Sequence, residues 1–583
     1  MINLVKIHFK KFLAAAAATA IVTASCVIYA DPITLSDYKG HWAYDSIAHL
    51  YSIGVIRDWP GGVLSVDKPA TRAEVVTLIN KIFNFTEKAK DPFKDVSESS
   101  WYANEVAKAK AAGYIQGDDS GNFRPNDPIS RQEAAVIITR VFKLVASNNN
   151  AVDKFSDVTS IADWSKSSVA AMVERGYISG RDGGRFAPNE NITCAETLKL
   201  IDNMFEELAS KADTYVGNIK DNLIVNTGDV VLKDMVINGN LYLSEGIGDG
   251  VVRLENVVVK GKTFIAGGGE AGITINNSTL EGPLNVNKKN GKITLIAKGS
   301  TNISQAELSS GGKIQEDHLK ERGFDNITIT SAVKDLPVSL DGEFGVVTTN
   351  VAESNIELIG GSAASLVVAE NAKDSKIKVA GGTVSEMSIK SANTEVNLTG
   401  GTVTKLGITT GSSATKVSVA DQATIKSLVA DAGANVTGKG KIEAATVNSN
   451  NVVIEQKPTT VTIATNITTS IGGASNNTTG STGTVTNSGS PTAVRGGSPG
   501  TPSSGGSTPP PGSMPAMSSF SATPGLLLGF KTVIVELNTT TPGNYKVFVG
   551  STELQPHSST NKFYSTDVPE AQAYESNVRI MLR

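Results

Sequence analysis

Cysteine is nearly missing from this 583-residue chain: Cys26 and Cys194 are the two present. That is too few for a disulfide-stapled fold or a cysteine-based zinc cluster. Aromatic residues make up 6%, so large aromatic-lined pockets are expected to be few. Charged residues reach 19%, and 53 Lys+Arg against 57 Asp+Glu leave a net charge of −4. Such a balance supplies no field to gather nucleic acid or an anionic membrane. Beyond the first thirty residues no apolar run is long enough to span a bilayer. His8, His41, His49, His318 and His557 make no metal-ligand spacing, and no P-loop occurs. No metal, cofactor or catalytic residue is therefore expected. At roughly 100–200 residues per domain, the length implies about three to five domains.

The N-terminus has the layout of a secretory signal peptide over residues 1–30. Lys6, Lys10 and Lys11 precede the apolar run Phe12 to Ala24, and Ile28-Tyr29-Ala30 ends in a small residue before Asp31. A short buried helix is the structural alternative. Thr23-Ala24-Ser25-Cys26 also loosely matches a lipidation signal, although its first position calls for a larger aliphatic residue. Cleavage after Ala30 leaves Cys194 as the single cysteine, which suits an exported protein without an intramolecular disulfide.

The first third repeats itself. Trp42, Trp101 and Trp164 are spaced by 59 and 63 residues, as are Gly54, Gly113 and Gly176, and again Glu74, Glu133 and Glu196. Shared spacings of unrelated residue types define three units, at 31–90, 91–150 and 151–210. Each reads as two helices around a turn. In the second unit, Trp101, Val106 and Ala109 share a helical face that leads to Gly113 as a helix stop. The turn Asp118-Asp119-Ser120-Gly121-Asn122 follows, and a second helix opens at Ser130 with Glu133 three residues on. Thr71 with Glu74, Ser130 with Glu133 and Thr193 with Glu196 are expected capping boxes, in which hydroxyl and carboxylate satisfy each other's backbone N–H groups.

These residues resemble the S-layer homology (SLH) domain. Ala70-Thr71-Arg72-Ala73-Glu74, Ile129-Ser130-Arg131-Gln132-Glu133 and Ile192-Thr193-Cys194-Ala195-Glu196 are similar to its ITRAE signature. Phe93-Lys94-Asp95-Val96 and Phe155-Ser156-Asp157-Val158 are similar to its F-x-D-V start. Gly113-Tyr114-Ile115-Gln116-Gly117 and Gly176-Tyr177-Ile178-Ser179-Gly180 are similar to its G-x-I-x-G turn. The resemblance covers about residues 33–207 and implies a pseudo-threefold all-α prong with grooves between units. It also implies noncovalent attachment to secondary cell-wall polymers, often carrying a pyruvate ketal, in association with peptidoglycan.

On that reading Arg72 and Arg131 offer bidentate guanidinium clamps for a carboxylate. Trp42, Trp101 and Trp164 offer flat faces for a sugar ring, with core packing as the alternative. Asp37, Asp95 and Asp157 accept sugar hydroxyls or cap the first helix. Gly117 and Gly180 let the backbone approach a ligand or supply positive φ. Cys194 stands where unit three should carry arginine, and unit one has Asp58 and Val66 where the others have glycine and proline. Residues 31–210 carry 20 basic and 25 acidic groups, so attraction to an anionic polymer must be local.

From Val216 to about residue 466 short Val/Ile/Thr runs alternate with Gly and Asn. Leu232, Met235, Ile237 and Gly239 are echoed 22 residues later by Leu254, Val257, Val259 and Gly261, then after 21 more by Ile275, Ser278, Leu280 and Gly282. A second series runs Ile356, Ile377, Val396 and Val417, with Gly360-Gly361, Gly381-Gly382 and Gly400-Gly401 following the first three. Steps near 20 with period-two alternation predict a parallel β-helix or solenoid, with a row of small β-sandwiches as the rival. Residues 303–350, with the charged stretch Asp317 to Arg322, are expected as a short helical insertion. Asp234, Glu255 and Asn276 are expected to form one exposed row. The coil charges are otherwise scattered, unlike the clustered carboxylates of a polysaccharide lyase or hydrolase.

Residues 467–517 read as a Ser/Thr/Gly/Pro spacer. Thr532–Leu537, Tyr545–Val549 and Val578–Leu582 read as strands of a small, immunoglobulin-like β-sandwich over 518–583. The chain is thus expected to be an exported wall-anchored surface protein with a β stalk or display module, an S-layer component or adhesin whose outward partner is not legible. The alternative is a wall-anchored carbohydrate-active enzyme with the β-helix as its catalytic part.

Overall fold

The computed structural model describes residues 33–59, 64–331 and 336–477, together with strands between Gly483 and Leu582. The expected signal peptide, Cys26 and most of the expected spacer lie outside the described residues. Two compact units result, residues 1–488 and 489–583.

Six helices build the first part of the larger unit: α1 Tyr44–Ser52, α2 Arg72–Phe83, α3 Ala103–Ala112, α4 Arg131–Val141, α5 Asp163–Glu174 and α6 Cys194–Asp202. No helix among the described residues is long and apolar enough to cross a membrane. Gly54, Gly113 and Gly176 follow the first helices at φ of 85°, 81° and 73°, a left-handed stop that glycine adopts without a Cβ clash. Thr71, Ser130 and Thr193 close the three expected capping boxes at the start of α2, α4 and α6. The units then close on each other. Ala70 N–H donates to Ile192 O, Ile192 N–H to Ile129 O, and Ile129 N–H to Ala70 O, at 2.9–3.0 Å. This three-membered backbone ring is the pseudo-threefold arrangement in hydrogen bonds.

The β region is a solenoid. Strands of successive turns pair in parallel, in register: Leu232 with Leu254 and then Ile275, and Ile356 with Ile377, Val396 and Val417. One face runs from Glu207–Ala209 to Thr460–Ile463, and a second from Thr214–Val216 to Thr468–Ile471. The core is a continuous column of inward Val, Ile and Leu. Sandwiches are excluded by the parallel register, since hairpin-built sandwiches pair antiparallel. The glycine columns have a steric cause: a Cβ on Gly261 would strike the carbonyl of Gly239, and one on Gly282 that of Gly261.

Three expectations are corrected here. Residues 303–350 are not a helical insertion but further coils, with strands Asn302–Leu308, Gly312–Asp317, Phe324–Ile329 and Val338–Thr349. The inward residues Ile303, Leu308, Ile314, Phe324 and Ile329 continue the core, and the charged residues after Asp317 form a corner loop tied by Glu316. Glu316 accepts from the backbone N–H groups of Gly323 and Phe324 at 2.9 Å. The solenoid also starts before Val216 and outruns residue 466. Its last strands meet an antiparallel hairpin, Thr468–Ile471 with Ala474–Asn477, and Gly483–Thr486. Such a fold-back covers an edge that would otherwise template aggregation. Finally, Glu255 is in register with Lys233 and Asn276. Asp234 instead sits at a left-handed corner with Asn256 and Asn277, so the expected acidic row does not form.

The first coils cap all three second helices. Asn226 Nδ2 donates to Ile82 O at 2.8 Å and Ser244 Oγ to Phe83 O at 2.8 Å, at the end of α2. Tyr242 OH donates to Phe142 O at 2.7 Å, and Asn222 Nδ2 to Met204 O at 2.6 Å, beyond α4 and α6. Carbonyls left without intrahelical partners thus find donors on the solenoid, which joins the two parts into one unit.

The C-terminal unit pairs six strands antiparallel. Met517–Pro524, Phe530–Leu537, Lys562–Pro569, Thr552–Pro556, Tyr545–Val549 and Val578–Leu582 are neighbours in that order.

Candidate functional site

Two of the three capping-box glutamates, Glu133 and Glu196, have a second partner across the unit boundary. Arg72 of unit one donates from Nη1 to Glu133 at 3.1 Å, and Arg131 of unit two from Nη1 to Glu196 at 3.4 Å. Cys194 occupies the third equivalent position. Its thiol is buried, and burial first, then the Glu74 charge, push its pKa to about 12. Arg72 also donates from Nε to Phe123 O at 2.8 Å, and Arg131 to Phe186 O at 2.9 Å. Arg131 Nη2 is taken by Ser179 O at 3.2 Å. The two arginines are only 7% and 5% exposed. Both guanidinium groups therefore hold unit to unit, and each also lines a groove.

The aspartates are bonded within their own unit. Asp95 accepts from Phe123 N–H at 2.8 Å and Arg124 N–H at 2.6 Å, and Asp157 from Phe186 N–H at 2.7 Å and Ala187 N–H at 2.8 Å. Both carboxylate oxygens are spent on the turn before the second helix, and neither aspartate caps the first. Asp37 lies exposed on the short 3-10 turn Leu35–Tyr38. Gly117 and Gly180 have no positive φ. A Cβ there would come within 2.9 Å of the Phe93 ring or 3.0 Å of the Phe155 ring, so the glycines admit the F-x-D-V phenylalanines.

The tryptophans are not core residues. Trp42, Trp101 and Trp164 are 62%, 50% and 59% exposed, and Trp101 precedes α3 rather than sharing the buried face of Val106 and Ala109. Two of them reach grooves built by other units. A groove of about 580 Å³ is lined by Arg72, by Gly117, Arg124 and Arg140 of unit two, and by Trp164 of unit three. A second, of about 350 Å³, is lined by Arg131, by Gly180, Arg181 and Lys199 of unit three, and by Trp42 of unit one. Sequence reasoning missed Arg124, Arg140 and Arg181. Arg140 lies seven residues after Glu133, two turns along the same helical face, a signal that was available. Arg181 needed the fold, because it is drawn in by Glu190 and Glu196.

Glu133, which lines the first groove, is held charged. Burial pushes Glu133 up, but hydrogen bonds from Ser130 and the charges of Arg72 and Arg124 outweigh it, and its pKa is lowered. Along the solenoid, carboxylates pair with lysines, most of them on neighbouring coils, as in Lys378–Glu357 at 2.7 Å, Lys405–Glu386 at 3.0 Å and Lys313–Asp341 at 2.9 Å.

The S-layer homology domain family matches residues 34–76, 92–135 and 154–198. The chain is similar to the exoglucanase XynX of Acetivibrio thermocellus, 36% identical over 30% of this chain and 16% of that protein. It is similar to the amylopullulanase of Thermoanaerobacterium thermosulfurigenes, 34% identical over 30% of this chain and 10% of that protein. The S-layer protein sap of Bacillus anthracis is 32% identical over 30% of this chain and 22% of its own length. The chain thus spans less than a quarter of each of these relatives. The chain carries three S-layer homology domains.

Proposed function

We propose that the helical part anchors the chain noncovalently to an anionic secondary wall polymer associated with peptidoglycan, and that the solenoid serves as stalk or display module for an S-layer component or adhesin. The observation that carries this reading is the make-up of the two grooves, each of which joins a cation, turn backbone and an exposed tryptophan drawn from three different units. Guanidinium groups recognise carboxylate or phosphate through paired N–H donors. The more open Arg124 and Arg140 serve the polymer, while Arg72 and Arg131 hold the groove in shape. The third position, with Cys194 for arginine, contributes least. The C-terminal unit closes as a small β-sandwich at the end of the chain.

The test is binding of the full chain to wall sacculi before and after the polymer is stripped with hydrofluoric acid, with Arg124→Ala/Arg140→Ala beside it. Loss on stripping and in the variant is expected; equal binding to stripped peptidoglycan overturns the reading. A wall-anchored glycosidase is favoured by the names of relatives, such as the exoglucanase and the amylopullulanase, whose similarity covers 30% of this chain. Release of reducing sugar from wall polysaccharide by the full chain would decide for it.

A further inference from the structure

The junction between helices and solenoid encloses a cleft of about 450 Å³. Its walls are Phe83, Phe85 and Tyr114 on the helical side and Tyr242 and Phe264 on the solenoid side. A chain with 6% aromatic residues places five of them here. Phe83 and Phe85 stack at 5.6 Å with an interplanar angle of 11°, and Tyr242 and Phe264 at 5.1 Å with 13°. Phe83, Tyr114 and Tyr242 are buried, whereas Phe85 and Phe264 are only half-buried and leave ring surface open to the cleft. Volumes of roughly 300–1,000 Å³, apolar walls, a few polar groups and a position between domains are the marks of a small-molecule site.

The charges in the cleft are unbalanced. Lys289 donates to the carbonyl of Ala111 at the end of α3. Lys143 and Lys262, which also line the cleft, make no ion pair and no side-chain hydrogen bond among the described residues. Desolvation lowers the pKa of Lys143 with no carboxylate acting on it. Glu245 is committed elsewhere: one of its oxygens accepts from Thr86 N–H, Thr86 Oγ1 and Glu87 N–H, tying the two parts of the unit together. Glu307 accepts from Gln305 at 3.4 Å. Lys143 and Lys262 stand exposed at the mouth of the cleft without an ion-pair partner among the described residues, so an anion there would meet them in charge-assisted contacts.

We infer that this cleft binds a small amphiphilic anion, with the rings of Phe85 and Phe264 taking a flat apolar body and Lys143 and Lys262 taking its carboxylate, sulfonate or phosphate. None of these four residues lines either wall-polymer groove, so the site is independent of the anchoring function.

The probe is 8-anilinonaphthalene-1-sulfonate, titrated into the full chain by fluorescence and calorimetry. Saturable binding of one equivalent is expected. Lys143→Gln should weaken it about tenfold, the worth of one charge-assisted contact. Ala112→Phe, which fills the cleft from the last residue of α3, should abolish it. The uncharged N-phenyl-1-naphthylamine should bind far less tightly. Laurate and an acidic disaccharide as competitors distinguish a lipid from a saccharide source of the same chemistry. Absence of saturable binding, or an affinity that Lys143→Gln leaves unchanged, overturns the inference, and Lys143→Gln keeps the test decisive if the Ala112 variant does not fold.

Discussion

Arg72 Nη1 lies 3.1 Å from one oxygen of Glu133, while the other oxygen of that glutamate closes the capping box on Ser130 at 2.9 Å from N–H and 2.7 Å from Oγ. One carboxylate therefore starts a helix within unit two and joins it to unit one. Glu133→Gln keeps the cap geometry but leaves the nearly buried Arg72 without its charge partner. A loss of about 1–3 kcal/mol in urea unfolding is expected, at the lower end because Glu133 is partly solvated. The pKa of Glu133 is held below its ordinary 4.5, so its contribution is present above that value and fades as pH falls through the lowered pKa. The gap between wild type and variant should close in acid; a gap that widens there refutes the pairing.

The tryptophans should separate stability from binding. Each Trp→Ala change at positions 42, 101 and 164 removes an exposed ring, so unfolding should move by about 0.5 kcal/mol or less. Polymer binding should fall for Trp42 and Trp164, which line the arginine-bearing grooves, and change little for Trp101. Equal losses at all three positions would mean that the Cys194 position binds as well as the others.

Cys194 should be silent toward thiol reagents in the native chain at pH 8 and react fully once unfolded, because the thiolate is the reactive form and burial suppresses it. Its pKa rises from 9.0 to about 12 on folding. The unfolded chain then releases its proton first, so this group's contribution to stability is complete below pH 9.0 and declines between 9.0 and about 12. Cys194→Ala should flatten that part of the alkaline stability curve. Rapid native labelling would contradict the burial.

In the solenoid, Gly261→Ala drives a Cβ into the Gly239 carbonyl, whereas one on Gly407 meets nothing nearer than 3.8 Å. The first should cost about 1–3 kcal/mol and the second within about 0.5 kcal/mol in thermal unfolding. Equal effects would mean that the coil spacing yields easily.

Much of the fold was legible because it repeats. The steps of 19 to 22 residues placed Leu232, Leu254 and Ile275 in one column and Ile356, Ile377, Val396 and Val417 in another, and the parallel ladder pairs them in that register. The capping boxes were equally legible, since hydroxyl and glutamate three residues apart meet within one turn. Residues 303–350 were misread because the charged corner after Asp317 hides an unbroken inward pattern at Ile303, Leu308, Ile314 and Phe324. A corner loop on a solenoid tolerates charge without leaving the fold.

What the sequence determined by itself is local and periodic: three helical units, their caps, the coil spacing and several of the residue types that line the grooves. The tertiary structure alone decided how those residues are spent. Arg72 and Arg131 turn inward because the neighbouring unit offers a glutamate and a carbonyl, and Trp42 and Trp164 join grooves made by other units because the ring closes threefold. The junction cleft arises where Phe85 and Phe264, distant in the chain, are brought together by the solenoid capping the helix ends. Contacts between units depend on closure of the whole ring, which no window of sequence contains.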